Sequence, residues 1–328
     1  MPVKWPAEWD RHEAVWIGFP GNPAEWPEKL AEAQGEVAAF ARAVSDEGRG
    51  EKVLLVCRGE RDAETARSLV TADIETIVQP FGDIWLRDTG PVLTIDEGEL
   101  LANDFGFNGW GRKFDMAGDQ DIGVRLAAMR SIGVRKHDWI LEGGAIESDG
   151  EGWLVTTEQC LLNPNRNTDL DRETAEHRLG EALGVRDFCW LGDGLAADHT
   201  DGHVDNLARF VGPATIVIPI ASRPDDPNMA IYDDAASRAE AAGLKVSRLP
   251  SVGKYLVDGI VAPASYMNFY IGNSIVAVPQ YGVPEDGPAL ENLAACFPGR
   301  RITGLSSRAL LRGGGSFHCI SQQIPALD

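Results

Sequence analysis

Short apolar runs of strand length recur along the whole chain and alternate with segments whose apolar residues fall at helical spacing. KVLLVC (52–57) and ATIVIPI (214–220) are short and apolar throughout, the pattern of buried strands. Segment 26–48 instead sets Leu30, Ala33, Val37, Phe40, Ala41 and Val44 on one face, with Pro27 at the expected first helical position and Gly48 as a stop. By the same reading, helices are predicted over 61–68, 122–131, 169–183, 227–242 and 290–296. Strands are predicted over 74–80, 92–95, 100–104, 153–157, 257–262, 266–271 and 274–278. Interleaving of this kind confines the chain to the mixed α/β class. The 36 glycines and 19 prolines are spread along it and no low-complexity linker divides it, so residues 1–328 read as a single domain. No repeat is visible by residue identity, yet the strand-rich units are spaced at intervals compatible with a cyclic array.

Charge narrows the partners. The 328 residues carry 30 Lys+Arg against 50 Asp+Glu, a formal net charge of −20, and so offer no basic surface for nucleic acid. At 44% hydrophobic residues the chain can bury a core, which excludes global disorder. It has no apolar run of about 18 residues, and its first residues, MPVKWPAEWDRHE, lack the apolar stretch of a signal peptide. A cytoplasmic protein with no membrane partner is expected. Five cysteines, Cys57, Cys160, Cys189, Cys296 and Cys319, lie scattered without CxxC or Cys/His metal spacing, which predicts free thiols in a reducing compartment and no metal.

Four stretches gather acidic, His and Cys side chains beside glycines, the composition of loops that present groups to a ligand. They are FGDIWLRDTGP (81–91), LEGGAIESDG (141–150), TDGHVDN (200–206) and GGGSFHCISQQ (313–323). Cys319, preceded by a glycine triplet and His318, is either the nucleophile of the set or a buried inert thiol. His203, between Asp201 and Asp205, is either a proton shuttle kept protonated near neutral pH by a carboxylate or a satisfied structural histidine. Several carboxylates near one thiol repel its thiolate, an arrangement that makes sense if the substrate brings positive charge. A planar guanidinium, whose forked donors match carboxylate pairs, fits that requirement.

Taken together, the ordered motifs PAEWDRHEAVWIGFP (6–20), DIWLRDTGP (83–91), FNGWGRK (107–113), LEGGAIE (141–147), TTEQCLLNPNRN (156–167), TDGHVDN (200–206) and GGGSFHCISQQIP (313–325) resemble the agmatine deiminase family, bacterial-type peptidylarginine deiminases included, of the guanidine-modifying superfamily. The resemblance implies a five-bladed α/β propeller, the pentein fold, with pseudo-fivefold ββαβ units around one central site. It implies that Cys319 is the nucleophile, His203 the general acid/base, Asp88 and Asp205 the carboxylates holding the guanidinium, Glu142 the carboxylate that orients His203, and Trp85 an aromatic wall beside the alkyl chain. It implies a hydrolase that turns agmatine into N-carbamoylputrescine and ammonia, with no metal or organic cofactor, and a homodimer. A deiminase of arginine, peptidyl arginine or another ω-guanidino compound, and a non-catalytic guanidine-binding scaffold, are the alternatives.

Arg112 departs from the family pattern. A cation near the pocket disfavours an ammonium tail and favours a carboxylate, whereas an Arg112 facing solvent or paired with Asp115 has no such effect. Arg87 reads as a buried partner for a carboxylate, and Trp110, Trp139, Trp153 and Trp190 as core aromatics. His318 reads equally as neighbour or participant, His199 as a loop residue, and the other four cysteines as packing.

Overall fold

The structure is a computed structural model that describes residues 3–114 and 116–327. Five small sheets repeat one connection: a first strand pairs antiparallel with a second, a helix follows, and a third strand returns parallel to the second. The units are Val92–Asp96, Glu99–Gly106 and Gly133–Ile140; Ile146–Ser148, Trp153–Thr157 and Asp187–Leu191; Arg209–Gly212, Thr215–Ile220 and Lys245–Pro250; and Tyr270–Ile271, Ile275–Gln280 and Arg301–Ser306. The remaining blade is built from both ends of the chain. Ser321–Pro325 lies antiparallel to His12–Gly18, which runs parallel to Lys52–Cys57, with Glu75–Val78 added at the edge. Trp16 faces Gln322 in that register, so the last strand closes the ring on the first. This is the five-bladed α/β propeller that the family resemblance predicts, and it agrees with the mixed α/β class read from the alternation.

Local chemistry accounts for the elements. KVLLVC forms its strand over the predicted residues, and Val53 to Cys57 are all buried because helices cover one face and neighbouring blades the other. The helix Leu30–Ser45 buries Ala33, Val37, Phe40, Ala41 and Val44, the predicted stripe. It starts three residues later than Pro27 suggests, since Trp26 is fully buried against Trp85, with ring centroids 6.4 Å apart, and that anchor holds the preceding residues in turns. Left-handed Asp46 and Glu47 end it just before Gly48.

Lys52–Cys57, the third strand of the closing blade, is predicted, whereas the third strands of the other four blades, Gly133–Ile140, Asp187–Leu191, Lys245–Pro250 and Arg301–Ser306, are not. In Gly133–Ile140, Lys245–Pro250 and Arg301–Ser306 exposed and half-buried residues predominate, because each forms an outer edge of its sheet. Residues 257–262 form part of a two-stranded hairpin, Leu256–Val257 with Ile260–Val261, outside the blades. No helix among the described residues is long and apolar enough to cross a membrane.

Candidate active site

Entry into each inner strand bends through a short turn, and these five turns converge. Asp88 lies in Leu86–Thr89 before the strand at Val92, and Glu142 precedes the turn Gly143–Ala145 and the strand at Ile146. His203 and Asp205 flank the start of Val204–Asn206, ahead of the strand at Arg209. Asn268 ends Tyr266–Asn268, and Cys319 stands two residues before Ser321–Pro325. One repeated geometry therefore delivers residues from five blades to one centre.

Cys319 is 5% exposed and lines a narrow cavity of about 60 Å³ with Asp83, Trp85, Asp88, Trp110, Phe114 and His199. Its thiol lies 3.5 Å from Asp205 Oδ2, and Asn268 Nδ2 donates to its sulfur at 2.9 Å. Asn268 Oδ1 accepts from the backbone N–H groups of His318 (3.0 Å) and Cys319 (3.2 Å), so one side chain fixes both loop and sulfur. Asp88 accepts from the Trp110 indole at 2.9 Å and from Gly144 N at 3.0 Å, and lies 3.6 Å from His203 Nδ1. Gly144 is where these groups meet: a Cβ there would lie 2.6 Å from His203 Nδ1, 2.8 Å from Asp88 Oδ1 and 3.1 Å from Asp205 Oδ2. Gly315 plays the same part on the opposite wall, where a Cβ would lie 2.7 Å from the Trp85 ring and 3.1 Å from the Cys319 sulfur.

Behind these groups lies a buried ion network. His318 bridges Asp205 (2.8 Å) and Glu8 (2.9 Å), Glu8 pairs with Arg209 (2.9 Å) and Arg87 (3.4 Å), and Arg209 pairs with Glu147 (2.9 Å). On the other side Arg166 holds Glu142 at 2.8 Å and Asp201 at 2.5 Å. Burial first, then the negative charges of Asp205 and Asp88, push the Cys319 thiol well up. Burial likewise raises Asp88, reinforced by Asp205 and Glu142. Burial would raise Asp205 too, but hydrogen bonding and charge from His318 outweigh it and hold it below the usual range.

The expectation that a carboxylate keeps His203 protonated near neutral pH is corrected here: burial outweighs Asp205 and lowers its pKa to about 3. His203 is a neutral imidazole, fully buried, and neither ring nitrogen has a hydrogen-bond partner among the described residues.

The sequence-derived candidates Cys319, His203, Asp205, Asp88 and Glu142 are thus brought together, with Trp85 on the cavity wall. Arg112 is not among them. It is exposed, with a left-handed backbone (φ 65°), and it does not line the cavity. Asp115, its alternative partner, lies outside the described residues. Arg87 is the predicted buried partner of a carboxylate.

Trp110 is more than a core aromatic, since it binds Asp88 from a backbone held at φ 52°, and His199 reaches the cavity wall. Cys160 is not simply packing: its sulfur, a Glu142 oxygen and a His203 nitrogen lie within 4.8 Å of one another, the one donor group among the described residues close enough to hold a metal ion. The Arg166 ion pair already occupies one oxygen of that Glu142 carboxylate. Asn268 and Glu8 escaped the sequence reading, Asn268 because SYMNF carries no acid, His or Cys. The sequence pattern also places Asn268 inside a strand over 266–271, whereas it ends the turn Tyr266–Asn268 and the strand is only Tyr270–Ile271.

The fold and the centre together define a pentein-type protein with a cysteine, a histidine and carboxylates at its axis. The chain belongs to the Porphyromonas-type peptidyl-arginine deiminase family, whose sequence profile matches residues 4–325. It is 36% identical to an agmatine deiminase of Stutzerimonas stutzeri over 98% of this chain and 95% of that protein. Among solved structures it is similar to the agmatine deiminase of Enterococcus faecalis, with a TM-score of 0.92 and 31% identity over 99% of this chain and 96% of that one. An agmatine deiminase of C. jejuni with substrate bound gives a TM-score of 0.92 and 30% identity, covering 98% of this chain and 96% of that one. An amidinotransferase of Microseira wollei, 12% identical over 100% of this chain and 99% of that one with a TM-score of 0.57, shares the fold alone.

Proposed function

We propose that this protein is a cysteine-dependent deiminase that converts agmatine and water to N-carbamoylputrescine and ammonia. The observation that carries this reading is a thiol 3.5 Å from Asp205 in a cavity that Asp88 also lines and to which no lysine or arginine among the described residues contributes. A guanidinium supplies the charge such a site lacks, and its forked N–H groups suit the two carboxylates. The absence of a lining cation favours agmatine over arginine, whose carboxylate would go unpaired. The names of the relatives point the same way.

The chemistry follows from the electrostatics. Docking of the guanidinium offsets the negative charge that raises the Cys319 thiol, so the proton passes from sulfur to the neutral His203. The thiolate attacks the guanidinium carbon. His203 returns the proton to the departing nitrogen, ammonia leaves, and an amidino-thioether on Cys319 remains. His203 then takes a proton from water, whose oxygen attacks the same carbon; the C–S bond breaks, the leaving thiolate takes the proton back from His203, and the ureido product forms as its oxygen loses the remaining proton to solvent. Glu142, held by Arg166, positions His203, while Trp85 flanks the alkyl chain. Incubation of the reduced protein with agmatine tests the reading, with ammonia and the ureido compound as products. No turnover would overturn it, and a higher kcat/KM for arginine would assign the alternative substrate.

A further inference from the structure

Asp205 must be ionised to hold a guanidinium, yet it is fully buried, and Asp88, Asp198 and the Cys319 thiol all face it. Two further groups act on it. His203 is neutral, and the Arg209 guanidinium is already paired with Glu8 and Glu147. The group in direct contact is His318, 1% exposed, whose Nδ1 lies 2.8 Å from Asp205 Oδ2 and whose Nε2 lies 2.9 Å from Glu8 Oε2. Both ends of this bridge are anchored. The His318 backbone N–H donates to Asn268 Oδ1 at 3.0 Å, and the other oxygen of Glu8 accepts from the backbone N–H of Ile271 at 2.8 Å.

The two contacts fix the state of the ring. Burial works against ionisation of both acids, yet Arg209 and His318 hold Glu8 well below the usual carboxylate range, and His318 does the same for Asp205. An ionised carboxylate only accepts hydrogen bonds, so each ring nitrogen must donate and the imidazole carries both protons. Among the described residues no other histidine is placed in this way: His12 meets Glu51 through Nδ1 alone, and His177 meets Glu181 through Nε2 alone.

We infer that His318 is a buried imidazolium, clamped between Asp205 and Glu8, and that it is a positioning residue: it holds Asp205 ionised and oriented for the substrate's guanidinium. The inference rests on the deiminase reading and assigns a role to a residue outside the reacting set. The clamp takes Asp205 Oδ2, whereas Oδ1 is buried without a partner among the described residues and is free to accept a guanidinium N–H. Without the imidazolium, a buried Asp205 facing Asp88 and Asp198 would retain its proton to higher pH and lose its attraction for the substrate.

Two measurements test this. In wild type carrying isotope-labelled histidine, nuclear magnetic resonance is expected to show one ring with protons on both nitrogens at about pH 8, where an ordinary histidine is neutral. That ring should vanish in His318→Gln. If every histidine has one bare ring nitrogen, or the doubly protonated ring persists in the variant, the imidazolium is overturned; the first of these outcomes needs no variant to fold. In the second measurement, kcat/KM of His318→Gln for agmatine is expected to fall by about tenfold or more relative to wild type at about pH 6, and the deficit to shrink as pH rises and Asp205 ionises. A deficit of equal size at every pH, as lost structural support alone would give, overturns the positioning role while leaving the deiminase reading intact. No turnover of agmatine by wild type overturns the deiminase reading and the positioning role with it.

Discussion

Gly144→Ala is a single-methyl change that reaches three catalytic groups at once, His203, Asp88 and Asp205. The added methyl would stand 2.6 Å from His203 Nδ1, 2.8 Å from Asp88 Oδ1 and 3.1 Å from Asp205 Oδ2, against about 3.5 Å or more for an unstrained carbon contact. At least two of the three groups must move by several tenths of an ångström. None is free to do so cheaply, because all three are buried, Asp88 is held by Trp110, and Asp205 by His318. Overpacking of this kind costs about 1–3 kcal/mol of stability. Displacing reacting groups by up to about 1 Å costs on the order of 10²-fold in rate. Ammonia release from agmatine should therefore fall about 10²-fold in kcat/KM while the protein remains folded at 25 °C, with Tm lowered by several degrees. Activity within twofold of wild type would refute the claim that these groups act from the positions described.

Cys319→Ser should abolish turnover, by at least about 10³-fold, and change stability by less than about 1.5 kcal/mol, as a swap of nearly equal volume; retained turnover counts against the nucleophile. Glu8→Gln removes the shared partner of Arg209, Arg87 and His318, and should cost about 3–5 kcal/mol in chemical denaturation. Because Glu8 is depressed in the fold, by Arg209 and His318 overcoming burial, its contribution is fully present above the ordinary carboxylate range and is lost only as pH falls through its folded value. The gap between wild type and variant should accordingly hold from pH 8 to about pH 5, and a gap that closes there contradicts the assignment. His203 supplies the opposite comparison. Its folded pKa of about 3 lies below the ordinary histidine value, so below about pH 6.5 the unfolded chain binds a proton that the native state refuses. Wild type should lose stability relative to His203→Gln by about 1–2 kcal/mol between pH 6.5 and 5; a flat difference means that His203 is protonated in the fold.

What the sequence makes legible here follows burial. Lys52–Cys57 is predicted to the residue because both of its faces are covered, whereas Gly133–Ile140 and Arg301–Ser306 carry charge on an exposed edge and send no apolar signal. The start of the first helix is misplaced because Pro27 follows a local rule that the burial of Trp26 overrides. At the site, acids, His and Cys beside glycine announce Asp88, Glu142, His203, Asp205 and Cys319. Asn268, Arg166 and Glu8 act by holding other groups, and their type alone does not mark them. The protonation of His203 was misjudged for a related reason. A neighbouring acid can be read from TDGHVDN, but the depth of burial that outweighs it is a property of the assembled ring.

Mass measurement of enzyme quenched in acid during turnover of agmatine tests the central claim most directly. A covalent deiminase predicts a species heavier by agmatine minus ammonia, on the peptide that carries Cys319, and its disappearance in Cys319→Ser. Steady release of ammonia with no such species, or the same increment on Cys160 or another residue, would contradict the account.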